Sequence, residues 1–524
     1  MPLLRPRLLT WVTIAFFTAL LITGLAVYKD YGISWDEIAT RELAILNVTH
    51  AIPDRATLDA WRSVKGEAFE RFGPLFDMML VSAERVFAPT TSRALMEMRH
   101  LLNFLAYYLG VVMFYVFCRR RFTSGIALLA TVCLVASPPL FSHAFYNTKD
   151  ISFFTAFLGA MLTLDTVLRR PAWHGRLNHL MTTVLVVGTR VLGLFAVLLT
   201  AAAAIARRPR LRTVLELAAY VVLVGLLLPL VWPVLRIDPI GVAKGAVFGS
   251  TANFYSQADL FRGRLIAANQ LPRDYIVTWI LITTPLVISA LFLAGTVWLA
   301  ASFVKRPRVY LFGGRQRDLI VLCWFFGPVM GTVILRPVMY DAWRHLFFVY
   351  PAFVYIAGIG MEVVATRARA RWPTVRRSVI HGWATAALLL LLAPAVAFMI
   401  ESHPYEHLYF NRLAGRDMAE IKQRFELDYW GLSYRPALEY IVRTDASPVI
   451  NVSVANYPGV ANSLMLSPHD QARLHYVSSN QPADYFVTNY RFHPGGYGYP
   501  NEVFRVRVGN ATINSVFRLS RAAR

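Results

Sequence analysis

The sequence predicts a mainly α protein, a polytopic bundle of membrane helices carrying a small extracytoplasmic α+β domain at its C-terminal end. Three observations predict it. Apolar residues come in runs of about 18 or more, long enough to cross a bilayer. Short basic clusters separate those runs, as cytoplasmic loops do. The last segment, 401–524, turns polar and reads as alternating strand-like stretches.

The bulk figures agree. Of 524 residues 56% are hydrophobic and 16% charged, with a mean hydropathy of +0.45. Soluble domains carry roughly 25% charge, and a soluble protein this apolar would expose too much greasy surface.

Taken in order, the apolar runs fall at 10–28, 101–118, 122–141, 151–168, 213–232, 276–300, 319–338, 345–362 and 379–400. The first, with basic flanks and no small-x-small cleavage site, reads as an uncleaved span that starts in the cytoplasm. A further run, 180–206, is interrupted by Gly188-Thr189-Arg190 and is basic at both flanks, so it reads as two short helices that enter and return. The total is about eleven helical elements. An odd count puts the N-terminus inside and the C-terminus outside.

The formal net charge of +22 could point to nucleic acid, but its placement does not. The clusters Arg119–Arg121, Arg169–Arg170, Arg207–Arg212, Lys305–Arg308, Arg315–Arg317 and Arg367–Arg377 sit between apolar runs. No basic stripe with interleaved aromatics appears on a soluble segment, which excludes a nucleic-acid partner. Cys118, Cys133 and Cys323 lie in or beside apolar runs without a CxxC pair, so they read as small buried residues.

Three segments face outward. The loop 29–100 contains "YGISWDEIATRELAIL" and "FERFGPLFDMMLVSAERVF", which read as amphipathic surface helices. The loop 233–275 is rich in Pro, Gly and aromatics. The tail 401–524 has a predicted helix near 434–443, the strand-like runs "VINVSVAN" and "DYFVTN", and a hairpin turning at Gly509-Asn510. The expected organisation is therefore a membrane domain over 1–400 and a soluble domain over 401–524.

The residues that could carry chemistry gather on these outer segments. Asp36 and Glu37 follow the first span, where a carboxylate can act as general base. Ser34 and Glu37 also fit a capping box, which leaves Asp36 the better base. In "SHAFYNTKDISFF", Lys149 could meet a phosphate and Asp150 a sugar or metal; equally, Lys149 could anchor at the interface and Asp150 cap a helix from Ile151. Arg190 lies inside an apolar run, where charge is costly and faces a cavity or a partner. "RPVMYDAWRHLFFVYP" brings Arg336, Tyr340, Arg344 and His345 to the outer face, either as snorkelling side chains or as phosphate ligands. His143, His345, His403 and His407 show no HExxH-like arrangement; His403 and His407 are four apart, but Pro404 argues against one continuous helix through both. Tyr429, Trp430 and Tyr434 could stack on a sugar but read first as core, and the sequons at Asn47, Asn451 and Asn510 matter only in a glycosylating host.

One base beside several cations differs from the paired carboxylates of a glycoside hydrolase. It suits a donor whose leaving group is already an anion and needs cations but no general acid. A lipid-phosphate sugar is such a donor, and its tail accounts for a site built from membrane helices.

The motifs resemble those of the GT-C glycosyltransferases. "SWDE" is similar to their acidic signature in the first outer loop. "SHAFYNTKDISFF" resembles the Asn-Pro-Lys-Asp-Ile-Pro-Phe motif of the family 39, protein mannosyltransferase-like group, with Thr148 where Pro is usual. "LPRDYIVTWILITTPL" is similar to a Leu-Pro-Trp-Tyr-Tyr…Thr-Thr-Pro-Leu segment, with Arg273 and Asp274 at the first two aromatic positions. "RHLFFVYP" resembles a further motif, and "HPYEHLYFNRLAG" and "FELDYWGLSYRPAL" resemble a tail of bacterial members.

The resemblance implies a GT-C-like bundle in a bacterial inner membrane. It implies inverting transfer from a polyprenyl-phosphate sugar to an extracytoplasmic glycan, lipid or protein. Asp36 would be the base, Lys149, Arg344 and His345 would hold the carrier phosphate, and Asp150 would line the site. Some relatives use a divalent cation and others none, and no metal ligands are assigned. A transporter or flippase of lipid-linked glycans is the alternative. It would spread charge along a path through the bundle.

Overall fold

A computed structural model describes residues 6–49, 56, 58–59, 72–207, 210–248, 257–478 and 480–519. Among them, eight helices are long and apolar enough to span a membrane: Pro6–Val27, Ser92–Arg119, Thr148–Arg169, Leu211–Val231, Leu286–Lys305, Gln316–Leu335, Arg344–Arg371 and Arg377–Glu401. The chain is an integral membrane protein. Large apolar side chains such as Leu226, Leu335 and Leu390 point outward from the spans. In water that would be costly; towards lipid it is the expected face.

Breaks in the helices follow local chemistry. The run 122–141 divides into Ser124–Val135 and Pro138–Tyr146, bent by 67°, and counts as a ninth span if the pair is taken as one. Pro138 and Pro139 cannot donate to the preceding turn, so the first helix ends before them. The expected span 276–300 is likewise two helices, Tyr275–Thr283 and Leu286–Lys305. Thr284 precedes Pro285 and is extended, with φ −101° and ψ 136°. The run 180–206 does break at Arg190, which is extended between Trp173–Thr189 and Leu194–Arg207. These helices, 17 and 14 residues long, fall outside the count of spans.

The helix Thr148–Arg169 starts earlier than expected. Asn147 caps it, its side-chain oxygen accepting from the Asp150 backbone N–H at 3.0 Å. Asp150 is therefore in the first turn rather than at the cap, and its carboxylate remains available to the interior.

In the first outer loop, the helices Glu37–Thr49 and Leu75–Phe87 pack together. Leu75–Phe87 turns Asp77, Leu80, Val81 and Glu84 inward, the spacing of one helix face. The second outer loop holds a hairpin that hydropathy does not reveal, β1 (Ala258–Phe261) paired antiparallel with β2 (Arg264–Ala267). Its turn residues Arg262 and Gly263 have φ +52° and +80°, the two left-handed positions of a tight hairpin. Phe261 bridges to Phe425, which ties the hairpin to the segment after the last span.

The tail forms a five-stranded mixed sheet in the order β4-β3-β5-β7-β6, from β3 (Ile450–Val454), β4 (Leu474–Tyr476), β5 (Tyr485–Thr488), β6 (Glu502–Val508) and β7 (Ala511–Arg518). β3 is parallel to β4 and β5, while β7 is antiparallel to β5 and β6. The helix Tyr434–Thr444 lays Tyr434, Ala437, Leu438 and Ile441 into a core with Ile450, Val452, Val487 and Val516. The preceding residues Tyr405, Leu408, Phe425, Tyr429, Trp430 and Leu432 join the core of the bundle instead. That stretch, with β1–β2, caps one end of the helices, where the charged residues collect.

Candidate functional site

Arg344 is the centre of the cluster. Its side chain is 2% exposed, and its Nη1 donates to Asp36 Oδ2 at 3.4 Å and to Asp150 Oδ2 at 3.2 Å. Its Nη2 donates to Asp341 Oδ2 at 3.1 Å. The guanidinium lies over the Trp430 ring at 4.6 Å and the Tyr340 ring at 5.1 Å. A planar fork can meet several carboxylates at once while its faces stack on aromatics, which an ammonium cannot do.

Two more cations complete the group. Lys149 Nζ donates to Asp36 Oδ2 at 3.0 Å. Arg190 pairs with Asp150 through Oδ1. The break at Arg190 is what lets this side chain turn into the cluster. Asp36, Lys149, Asp150, Arg190, Tyr340 and Arg344, separated by up to 308 positions in sequence, thus meet in one place.

Asp36 is the most open of the three carboxylates, its side chain 25% exposed against 1% for Asp150 and 6% for Asp341. Both contacts converge on Oδ2, and Oδ1 carries none of the hydrogen bonds among the described residues. Burial pushes the Asp36 carboxyl up, but Lys149 and Arg344 outweigh it and hold the group below its usual value. Asp36 is therefore an ionised proton acceptor at neutral pH, with one oxygen that no described residue hydrogen-bonds.

Glu37 is not part of this group. Its Oε2 accepts from the Ser34 backbone N–H at 2.6 Å, and its Oε1 meets His100 Nε2 at 2.9 Å. It is 1% exposed. This is the carboxylate half of a capping box. The Ser34 hydroxyl goes instead to the Tyr146 carbonyl at 3.2 Å. Ser34 and Glu37 fix the turn that carries Asp36.

His345 lies beside the cluster, its ring 4.9 Å from that of Tyr340 and edge-on to it. Burial pushes the Tyr340 phenol up to about 12, so it stays a hydrogen-bond donor. Arg336 stands apart, in a left-handed conformation with φ +51°. With Arg273 it lines a separate groove beside Leu271 and Met339. Asp274 pairs with Arg262 at the surface, at 2.6 Å.

Two members escaped sequence reasoning. Asp341 has φ +55° and its neighbour Ala342 φ +63°, a conformation that costs a non-glycine residue about 1–3 kcal/mol. The Asp341 N–H donates to Asp259 Oδ2 at 3.0 Å, and the Ala342 N–H to the Tyr275 hydroxyl at 3.0 Å. Tyr275 in turn donates to Asp259. This brace from β1 aims the Asp341 carboxylate at Arg344. The Asp259 carboxyl itself is pushed up to about 6, by burial and by Asp341 beside it. The second is Arg491, in the loop between β5 and β6, whose Nη2 meets Asp341 Oδ1 at 2.5 Å. Its guanidinium lies 4.7 Å over the Trp35 ring, next in sequence to Asp36. An acid inside a motif otherwise read for its cations was the available signal for Asp341; none singles out Arg491 among the tail arginines.

The histidines serve local structure. His143 meets Asn147 at 2.8 Å and accepts from Trp430 Nε1 at 3.1 Å, holding a cap and a stacking ring. His403 bridges Asp30 and Glu406. Among the described residues no group of three His, Cys, Asp or Glu is arranged to hold a metal ion. Where three carboxylates do approach one point, the Arg344 guanidinium is the cation between them.

No family model and no curated protein matches the chain in sequence. Among solved structures it is similar to ArnT from Cupriavidus metallidurans, both in the apo state and bound to undecaprenyl phosphate. Each comparison gives 12% identity, a TM-score of 0.50, and coverage of 97% of this chain and 97% of that one. The archaeal oligosaccharyltransferase AglB from Archaeoglobus fulgidus, in complex with an inhibitory peptide and a dolichol-phosphate, gives 11% identity and a TM-score of 0.47 over 92% of this chain and 70% of that one. At such identity the ArnT likeness speaks for the fold, and the chain has the GT-C fold that its motifs resemble.

Proposed function

We propose that this protein is a membrane glycosyltransferase that moves a sugar from a polyprenyl-phosphate donor to an extracytoplasmic glycan, lipid or protein. The observation that carries the reading is the convergence of Lys149 and Arg344 on one oxygen of Asp36, with the other oxygen unbonded among the described residues. Support comes from the shared fold with ArnT, which has been solved with undecaprenyl phosphate bound.

The chemistry follows from the charges. The acceptor hydroxyl or amine attacks the anomeric carbon of the donor and loses its proton to Asp36. The bond from that carbon to the phosphate oxygen breaks, and its electron pair leaves with the phosphate. One displacement inverts the anomeric centre. Lys149, Arg344 and Arg190 take up the negative charge that grows on the phosphate, with His345 and Tyr340 at its edge. Donors set in place before the reaction stabilise such charge most effectively. Asp150 and Asp341 hold the arginines in position.

Asp36, Asp150 and Asp341 are each paired to Lys or Arg, so the donor set does not fit a divalent cation, and charge compensation is assigned to the side chains. The reading places the N-terminus in the cytoplasm and the tail outside a bacterial inner membrane, in line with the basic clusters between spans. A flippase gains no observation in its favour.

The test is Asp36→Asn. Loss of a general base lowers turnover by about 10²–10⁴-fold, while abundance and membrane insertion persist. Mass spectrometry of glycans and glycolipids from a deletion strain carrying the variant reads the outcome. Unchanged transfer would refute the assignment.

A further inference from the structure

Thr148 stands where the resembling motif has proline, and the structure gives its hydroxyl a partner that proline could not have. Thr148 Oγ1 lies 3.1 Å from both Oδ1 and Oδ2 of Asp77. Asp77 is a residue of the surface helix Leu75–Phe87, yet it is 5% exposed. Arg99, whose side chain is 0% exposed, donates to Asp77 Oδ1 at 2.6 Å through Nη2 and to Glu84 Oε1 at 2.7 Å through Nη1. Arg41, from the helix Glu37–Thr49, closes the chain on Glu84 Oε2 at 2.9 Å. The result is a continuous line, Arg41–Glu84–Arg99–Asp77–Thr148, running from the first outer loop to the residue before Lys149.

The charges on this line balance internally, two arginines against two carboxylates. It meets the Asp36 cluster at the backbone of Thr148, and the Asp77 carboxylate lies within electrostatic reach of Lys149. Lys149 extends from that backbone over the Phe72 ring, at 4.4 Å, to reach Asp36. Four methylenes give a lysine wide freedom; fixing the helix start and laying the stem on a ring limits where its ammonium can go.

We infer that Thr148 and Asp77 are positioning residues, which set the Lys149 ammonium at the phosphate-binding point and couple it to the two surface helices. The inference rests on the reading of Lys149 as a carrier-phosphate ligand, and it assigns the threonine a purpose that the usual proline of the motif could not serve.

Two readouts on the full-length protein in lipid nanodiscs test it, for Thr148→Val, which keeps the shape, and Thr148→Ser, which keeps the hydroxyl. The first is the rate at which Lys149 is acylated by a water-soluble anhydride, followed by peptide mass spectrometry. Thr148→Val raises that rate several-fold, because the amine is loosened from Asp36, while Thr148→Ser leaves it near wild type. An unchanged rate in Thr148→Val overturns the inference.

The second is affinity for undecaprenyl phosphate. Loss of a hydrogen bond to a charged group weakens it about tenfold in Thr148→Val, while Thr148→Ser stays within about twofold. In a Lys149→Met background the threonine change has no further effect, because the two act through one group. The same loss on that background would show a merely structural role and overturn the inference. If wild-type protein does not bind undecaprenyl phosphate, the donor reading fails, and the acylation rates still decide the role of Thr148.

Discussion

Arg491 and Asp341 lie 150 positions apart and meet at 2.5 Å, one from the C-terminal tail and the other from the loop between two spans. Asp341 spends its other oxygen on Arg344. The Asp341 carboxylate thereby ties the tail to the centre of the cluster, beside the stacking of Trp430 on Arg344. Between arginines, Asp341 holds both without itself facing the open side of the site.

Arg491→Ala leaves the buried Asp341 with one cation instead of two. Breaking a buried pair by removing one partner costs about 3–5 kcal/mol. The expected result is a lower apparent Tm together with reduced transfer, measured on purified protein. Arg491→Lys recovers less than half of the loss, since an ammonium cannot both reach Asp341 and stack on Trp35.

Arg344→Lys keeps the charge but not the fork that meets Asp36, Asp150 and Asp341 together. Transfer falls by at least about tenfold, because the bidentate geometry is lost. The Lys149→Arg change is milder, since Lys149 makes one contact in the cluster, to Asp36. Comparing the two variants for undecaprenyl phosphate affinity checks the order.

The pH profile of transfer should show no acidic limb near neutrality. Lys149 and Arg344 hold Asp36 below its ordinary value of 3.8 despite the opposing effect of burial. The base is charged above that value and is lost only as pH falls below it. An initial-rate profile between pH 5 and 8 should therefore be flat on the acid side; a fall-off centred near pH 6 would place the base elsewhere.

Stability follows a different group. Burial pushes the Glu426 carboxyl up to about 8, above the 4.5 of an exposed glutamate. Folded protein therefore keeps a proton that unfolded chain releases across that window. Raising the pH from about 5 to 8.5 favours unfolding, by at most a few kcal/mol. Glu426→Gln reduces the slope, leaving the share of Asp259, which thermal melts at both pH values would show.

Much of this is legible in the sequence. The charge break at Arg190, the cationic "RHLFF" segment and the acid after the first span are each anomalies against an apolar background, where an unpartnered charge is expensive. Helix breaks were legible only where two signals coincided. Arg190 marked one; Pro285 marked another, but the surrounding apolar run concealed it. The hairpin β1–β2 was hidden because its strands are four residues each and the bridge that anchors it, Phe261 to Phe425, comes from far along the chain.

Partners were the part the sequence withheld. The capping-box spacing already set Glu37 aside in favour of Asp36, and the Ser34 N–H does lie on it, but only the fold brings His100 onto its other oxygen. Asp77, Arg99 and Arg491 are ordinary charges until burial makes each need a counterion. Hydropathy and residue type act locally and so can be read one segment at a time, which determined the membrane bundle, the polar tail and the list of candidate groups. The choice of which carboxylate stays open, and which cations face it, depends on contacts across hundreds of residues. Only tertiary packing decides that, because the cost of a buried charge is settled by its neighbours in space.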